Sequence, residues 1–362
     1  MKYLSIIIII SFAVFSCKKE DICILNNYNH SIIDLDWKYP ECSGDFEVTP
    51  TNMEEIIHLG NQFSSPAFNP NNPYEFCFYQ IVADSESQIA IDHQIVTFNL
   101  QTGTKKVILN DTKVSGNLAW NKQGWIAYQN ASNGAMYAIN VNTQEIRQMS
   151  IIEGYPIDKN LTWVNGSDSL IWGGADINMV SYLKLNRIDS DEEEEILVYG
   201  APASIYNEFT ISSKNELLAR GQHGMNSGCE FYKVHFDEIL EPWNSFTIPL
   251  NGSKFGRVNW HVDGNKFYVP MTYSVETAGL FEVNYNTLEI EKLYSFCEKQ
   301  FIYQAICSPN GKYLIIQKIE RDYIIDEEHA DDPTGIYNQI VENDKLWLYD
   351  LTTNKETPLP LD

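Results

Sequence analysis

Hydrophobic residues recur along this chain in short alternating segments at a regular interval. Each segment ends in an apolar residue, here called the anchor, with another apolar residue two positions earlier and a mostly small or polar residue between them. The anchors are Phe68, Trp120, Trp163, Ile211, Trp260 and Cys307, and successive anchors lie 43 to 52 residues apart. Alternation with period two is typical of a β-strand that has two different faces. The chain therefore repeats one β-rich unit six times.

Each unit continues in a similar way after its anchor. A polar turn leads to a second apolar strand, and an aromatic-rich third strand follows. Three of the turns contain Asn165-Gly166, Asp263-Gly264 and Asn310-Gly311, which favour tight hairpin turns because both central residues can take positive φ. Four third strands end in an Asx residue that is followed three positions later by threonine, and these Asx residues are Asn99, Asn140, Asn284 and Asp350. Because an Asx side chain can bond the backbone two residues on, we expect a turn into a fourth strand at each.

Repeats of this length that contain only strands predict a β-propeller. We expect an all-β fold, a six-bladed β-propeller of four-stranded antiparallel blades. The large apolar side chains then pack between blades, and the small residues before the anchors face the crowded axis. Residues 54–59 read as a strand that completes the blade of the C-terminal strands, which joins the first and last units and leaves no unpaired edge. A partial seventh blade is the alternative.

One repeat carries a family resemblance. The segment Ser308-Pro309-Asn310-Gly311-Lys312-Tyr313-Leu314 is similar to the core of the WD40-like repeats of TolB-type propellers. The resemblance covers residues 63–359 and is clearest in the second, fifth and sixth units. It implies a six-bladed propeller that acts as a periplasmic or envelope binding module. The motif specifies a turn and carries no chemistry of its own.

The N-terminus resembles a bacterial lipoprotein signal. Lys2 precedes an apolar run from Leu4 to Phe15, and Ser16-Cys17 resembles a lipobox. The resemblance implies cleavage before Cys17 and a diacylglycerol on its sulfur; an ordinary signal peptide is the alternative. The following residues 18–21 resemble the signal that sends lipoproteins of Bacteroidetes-type bacteria to the cell surface. We expect a signal peptide at 1–16, a tether and extension at 17–53, and the propeller at 54–362. The expected location is the outer membrane, as a lipoprotein on its periplasmic or cell-surface face.

Charge and cysteine content narrow the expected partners. The chain has 49 acidic and 25 basic residues, a net charge of −24, which disfavours nucleic acid because there is no basic surface from which counterions could be released. The acidity suits the solubility of an exported protein, with a cation or a basic partner as the alternative. After Cys17, six cysteines allow up to three disulfides. The pairs closest in sequence are Cys23 with Cys42 and Cys297 with Cys307, although Cys307 at an anchor also reads as a small buried hydrophobe.

The candidate site lies three residues before the anchors. The residues at this position are Ser65, Asn117, Asn160, Glu208, Arg257 and Gln304. They predict a polar collar at one mouth of the central channel, where Tyr206, Tyr273 and Tyr303 would add aromatic contacts. The collar either satisfies the backbone of the inner strands or selects an envelope protein, a small ligand or a glycan at that face.

No catalytic constellation stands out in the sequence. It contains no nucleophile elbow, no zinc-protease helix and no phosphate loop. We expect a binding module that is not an enzyme and has no cofactor, anchored to the membrane through the lipid on Cys17. The alternative is a propeller enzyme, a glycan lyase or hydrolase with its site at the channel mouth. That alternative requires at least three residues of one set to converge, namely His93, His223, His329, Asp176 and Asp332.

Overall fold

The structure is a computed structural model. It describes residues 55–57, 61–83, 90–111, 114–130, 132–150, 160–175, 181–190, 193–196, 209–220, 229–235, 244–248, 256–271, 279–294, 300–324 and 339–361. In this part of the chain every element is a strand, and no helix could cross a membrane.

The strands follow the repeat that the sequence predicts. The first thirteen are β1 Glu55–Ile57, β2 Gln62–Phe68, β3 Glu75–Ala83, β4 Ala90–Asn99, β5 Lys105–Asn110, β6 Val114–Trp120, β7 Trp125–Asn130, β8 Met136–Asn140, β9 Ile146–Gln148, β10 Asn160–Trp163, β11 Ser169–Ala175, β12 Ser181–Arg187 and β13 Glu193–Ile196. The others are β14 Phe209–Ile211, β15 Glu216–Arg220, β16 Cys229–His235, β17 Asn244–Ile248, β18 Asn259–Trp260, β19 Lys266–Met271, β20 Gly279–Asn284, β21 Ile290–Tyr294, β22 Gln300–Cys307, β23 Tyr313–Ile324, β24 Gln339–Asp350 and β25 Lys355–Pro358. Each anchor is the last residue of the first strand of its unit.

Consecutive strands pair into small sheets. Within the described ranges, β2–β5, β6–β9, β10–β13, β14–β17 and β18–β21 form five sheets of four strands each, called sheets 1 to 5 here. All neighbouring strands in them are antiparallel. The predicted all-β fold of four-stranded antiparallel sheets is therefore confirmed.

Both ends of the described chain meet in one further sheet, called the composite sheet. It contains β22, β23 and β24 in order, and β1 and β25 both pair with β24. The strand β25 is antiparallel, with Trp347 opposite Pro358, whereas β1 is parallel, with Glu55 opposite Gln339. The prediction that residues 54–59 join the C-terminal strands is confirmed for residues 55–57. Its detail is wrong, because β25 supplies the antiparallel fourth strand and β1 is an addition.

The first strands of the sheets contact one another in a closed cycle. β2 contacts β6, β6 contacts β10, β10 contacts β14, β14 contacts β18, β18 contacts β22, and β22 contacts β2. Hydrophobic cores fill the space between neighbouring sheets. In the core between sheet 1 and the composite sheet, Phe63 and Phe78 pack with Ile315 and Leu348. Burying each such side chain stabilises the folded state by roughly 1.5–3 kcal/mol relative to leaving it exposed to water.

The predicted Asx turns are present in all four units. Asn140 Oδ1 accepts the N–H groups of Asn142 and Thr143 at 3.0 and 3.2 Å, and the turns at Asn99, Asn284 and Asp350 repeat both bonds. The residue after each threonine has a positive φ: Gly103, Gln144, Leu288 and Asn354. The side-chain oxygen therefore holds a tight reversal even where the left-handed residue is not glycine.

The hairpin turns after the anchors differ from the prediction in one respect. In Asn165-Gly166, Asp263-Gly264 and Asn310-Gly311 only the glycine has positive φ, at 76°, 64° and 69°. Gly264 donates its N–H to the His261 carbonyl, and Gly311 donates to that of Ser308. Four residues lie between the backbone-bonded pairs that close these turns, for example residues 309–312 between Ser308 and Tyr313. The turns are therefore longer than the two-residue hairpin that requires positive φ at both central residues.

Candidate functional site: the central cavity and its two mouths

A cavity of about 480 Å³ lies at the centre of the ring of first strands. It is lined by the residue before each anchor, namely Ala67, Ala119, Thr162, Thr210, Asn259 and Ile306. All of these are partly exposed. The period-two alternation thus places one residue of each first strand toward the axis, as predicted.

The anchors themselves fix neighbouring sheets to each other beside this cavity. Trp163 Nε1 donates to the carbonyl of Ala119 in sheet 2 at 3.0 Å, and Trp260 Nε1 donates to that of Thr210 in sheet 4 at 3.4 Å. Each indole therefore reaches the first strand of the preceding sheet. These two indole hydrogen bonds give backbone carbonyl groups near the axis a donor from the neighbouring sheet.

Three described members of the predicted collar line the cavity: Asn160, Arg257 and Gln304. Asn160 and Gln304 are 2% exposed. Asn160 Nδ2 donates to the carbonyl of Phe209 in the next sheet. Gln304 Nε2 donates to Gln317 Oε1 at 2.9 Å, and that oxygen also accepts the N–H of Ser65 at 3.0 Å. The amides of Asn160 and Gln304 are therefore used to connect first strands and sheets, as the structural alternative expects.

Arg257 lies where sheet 5 approaches the composite sheet. Its backbone forms a parallel bridge with Gln304, and its N–H donates to the carbonyl of Tyr303. Gly256 makes this approach possible, because a Cβ at that position would overlap the Tyr303 carbonyl. Tyr303 itself is 43% exposed and available for a partner.

The remaining predicted site residues are distributed differently. Asn117 is buried but is not among the residues that line the cavity. Cys17, Tyr206, Glu208 and Tyr273 lie outside the described residues. Of the residues on which the enzyme alternative depends, only His93 is described, and its ring contacts Tyr79. Across the described ranges, no group of three or more His, Cys, Asp or Glu could hold a metal ion.

The opposite mouth of the cavity was missed by sequence reasoning. Here the lining residues lie two positions after the anchors: Pro70, Lys122, Asn165, Ser213, Val262 and Pro309. Asn165 Nδ2 donates to the carbonyl of Ser213 in the next sheet at 2.7 Å, and Asn71 Nδ2 donates to that of Lys122 at 2.7 Å. Extending the repeat alignment by two residues would have found this rim.

The charge of the cavity contrasts with that of the protein. Its described lining contains Lys122 and Arg257 and no acidic residue, although the chain has a net charge of −24. The described lining is therefore less acidic than the chain as a whole. Glu208, a member of the predicted collar, lies outside the described residues.

Two described cysteines, Cys77 and Cys307, are free thiols. The predicted disulfide between Cys297 and Cys307 is therefore wrong, and Cys307 packs as a partly buried residue against the core between sheet 5 and the composite sheet. Burial raises the pKa of the Cys307 thiol to about 12, and burial raises that of Cys77 further. Both thiols are therefore protonated at neutral pH and are poor nucleophiles. The other predicted pair, Cys23 with Cys42, lies outside the described residues.

Comparisons with known proteins support the architecture. No family model and no curated protein matches the sequence. A protein assigned as TolB from Agrobacterium tumefaciens aligns with a TM-score of 0.54 and 10% identity, over 72% of this chain and 86% of that chain. Hydrazine synthase from Kuenenia stuttgartiensis aligns with a TM-score of 0.50 and 11% identity, over 84% of this chain and 99% of that chain. The β-propeller domain of the Trilobed protease from Pyrococcus furiosus reaches 0.49 and 13%, over 82% and 84%.

The fold and the axial cavity together define a β-propeller. At these identities the likeness concerns the fold alone. The protein assigned as TolB is among the solved structures of similar fold, which agrees with the TolB-like repeat core at residues 308–314. Because one fold can host many functions, the fold does not separate a binding module from part of an enzyme.

Proposed function

We propose that this protein is a lipid-anchored, six-bladed β-propeller of a bacterial envelope that binds an envelope protein or a small ligand at one face of its ring. Sheets 1 to 5 are regular blades, and the composite sheet serves as the sixth. The closed cycle of contacts among the first strands supports this count.

One observation carries the binding role: the ring surrounds a cavity of about 480 Å³, and its described lining combines apolar side chains with several polar ones and contains no acidic residue. This volume lies within the range of small-molecule pockets, roughly 300–1,000 Å³. Tyr303 at the collar supplies an exposed aromatic side chain, the kind of residue that dominates protein interfaces. The TolB-like repeat and the lipobox at Cys17 support an envelope lipoprotein of the Bacteroidetes type.

The collar face can be tested in cells with a matched pair of variants. Tyr303→Glu places a charge at the collar, and Ile146→Glu places one on the outer strand β9, where Ile146 is similarly exposed at 49%. After crosslinking in intact cells, the protein and its partners are isolated and quantified by mass spectrometry. We expect Tyr303→Glu to lower the recovery of specific partners severalfold and Ile146→Glu to leave it unchanged. Equal recovery from both variants would show that the collar is not the binding face.

The anchor is tested separately by Cys17→Ala. We expect this variant to leave the membrane fraction, because stable attachment requires the acyl chains on that cysteine. Unchanged fractionation would remove the lipid anchor from the proposal without affecting the binding face.

A further inference from the structure

A second cavity lies between sheets 1 and 2, on the side of the hairpin turns that follow the anchors. It has a volume of about 330 Å³. We call it the sheet 1–2 cleft and define it by Asn69, Lys106, Trp120, Lys122, Gln123 and Asn142. Neither the repeat pattern nor the predicted collar pointed to it.

The charge of this cleft runs against that of the whole chain. Lys106 and Lys122 are exposed and, among the described residues, neither forms an ion pair. The acidic residue of the lining is Glu75, whose Oε2 accepts the Nδ2–H of Asn69 at 2.7 Å. The chain has nearly two acidic residues for each basic one, but this cleft has two lysines and one carboxylate. The local excess of positive charge favours an anion.

The remaining polar lining consists of amides. The side chains of Gln123 and Asn142 are exposed, and each amide can both donate and accept hydrogen bonds. The cleft is held in shape by the bond from Asn71 Nδ2 to the Lys122 carbonyl, which joins the two sheets. Gly124 contributes with a φ of +88°, and a Cβ there would lie 3.0 Å from Asn142 Nδ2. The site is thus formed before a ligand arrives.

Trp120 forms part of the apolar wall of the cleft. Its side chain is 7% exposed, and it also lines the central cavity. Amides, lysines and few apolar groups suit a ligand rich in hydroxyl groups better than a peptide, which needs apolar contacts.

We propose that the sheet 1–2 cleft binds one anionic sugar residue, a monosaccharide unit that carries a carboxylate or a phosphate group. Lys106 and Lys122 face the anionic group, and the amides of Gln123 and Asn142 pair with hydroxyls. The volume is at the small end of the range for ligand pockets, which fits a single ring. The site involves neither the lipid anchor nor the collar. It shares Trp120 and Lys122 with the opposite mouth of the central cavity, whereas Lys106 lines the cleft and not that cavity.

The test uses the purified full-length protein in detergent and isothermal titration calorimetry. Glucuronate, glucose 6-phosphate and glucose serve as ligands, with inorganic phosphate as the anion alone. We expect at least one anionic sugar to bind at least tenfold more tightly than glucose and than phosphate. The difference between glucuronate and glucose 6-phosphate identifies the anionic group. Binding of phosphate as tight as that of the sugars, equal binding of glucose, or no binding of either anionic sugar would each overturn the proposal.

Variants locate the binding in the cleft. Loss of one charge-assisted bond corresponds to about a tenfold weaker affinity, which we expect for Lys106→Gln and for Lys122→Gln. Lys312→Gln, at an exposed lysine in the corresponding hairpin of the composite sheet, is the matched control and is expected to bind normally. Unchanged thermal unfolding verifies that each variant is folded. Equal affinity in all three variants would exclude the cleft as the site.

Discussion

A buried ion pair in the composite sheet offers a sharp test of how the ring is held closed. Lys318 on β23 and Glu356 on β25 are 0% and 1% exposed, and Lys318 Nζ lies 2.7 Å from Glu356 Oε2. The same ammonium lies 4.3 Å from the ring centroid of Trp347. The pair therefore connects the C-terminal strand to the body of the sheet within a dry core.

The expected magnitude follows from two opposing effects. At 2.7 Å and an effective dielectric constant of about 20, the attraction between the charges is about 6 kcal/mol. Removing both ions from water costs several kcal/mol each, so the intact pair contributes little in net terms. Removing one partner leaves the other buried and uncompensated, which costs about 3–5 kcal/mol. We therefore expect Lys318→Met and Glu356→Gln each to lower the unfolding free energy by about that amount.

The double variant Lys318→Met/Glu356→Leu separates this reasoning from simple loss of packing. Because it removes both charges, we expect its stability to lie within about 1 kcal/mol of the wild type. Glu282→Gln is the control, since Lys266 and Glu282 are 2.6 Å apart but 40% and 14% exposed, and such a pair contributes less than about 1 kcal/mol. Urea unfolding followed by tryptophan fluorescence measures the wild type and the four variants. A double variant as unstable as the sum of the two single variants would refute the argument.

Two further predictions concern the turns and a buried thiol. Asn140→Ala removes the acceptor of two backbone N–H groups and should lower the unfolding free energy by about 1 kcal/mol. Leu288→Gly should stabilise the protein slightly, because Leu288 has a φ of 59°. Urea unfolding measures both variants, and an Asn140→Ala variant as stable as the wild type would contradict the first expectation. Burial raises the pKa of Cys307 from 9.0 to about 12, so its contribution to stability is full below about pH 9 and is lost as the pH rises toward 12. Cys307→Ala should therefore show a flatter decline of unfolding free energy over this window than the wild type, and parallel declines would show that the thiol is not responsible.

Much of the fold was predictable because each unit repeats the same local chemistry. The alternation before the anchors, the apolar runs of the second and third strands, and the Asx-x-x-Thr turns are all local patterns, and the structure has a strand or turn at each. The backbone angles of the hairpins were not predictable in this way, since Asn-Gly suits more than one turn. The parallel pairing of β1 also escaped prediction, because strand direction depends on how the chain returns to the sheet.

The candidate site was less accessible to sequence reasoning. The repeat predicted which position of each unit forms the collar. It did not predict the hydrogen bonds of the Asn160 and Gln304 amides, because their acceptors lie on other strands. The sheet 1–2 cleft brings together Lys106 and Asn142, which lie 36 positions apart in different units. Lys318 and Glu356 are likewise far apart in the sequence and in contact in the structure. The strand arrangement that brings them together is not evident from composition.

The attachment of sheet 1 to the composite sheet depends on side chains of β2 more than on β1. The strand β1 pairs through only three residues, from Glu55 to Ile57, whereas the first strand of sheet 1 is attached to the composite sheet by its own side chains. Gln62 is 3% exposed; its Oε1 accepts the N–H of Asp344 at 2.6 Å and its Nε2 donates to Asn343 Oδ1 at 3.1 Å. Phe63 beside it packs in the core between the two sheets. Because these contacts do not involve β1, we expect removal of β1 to leave sheet 1 attached to the composite sheet.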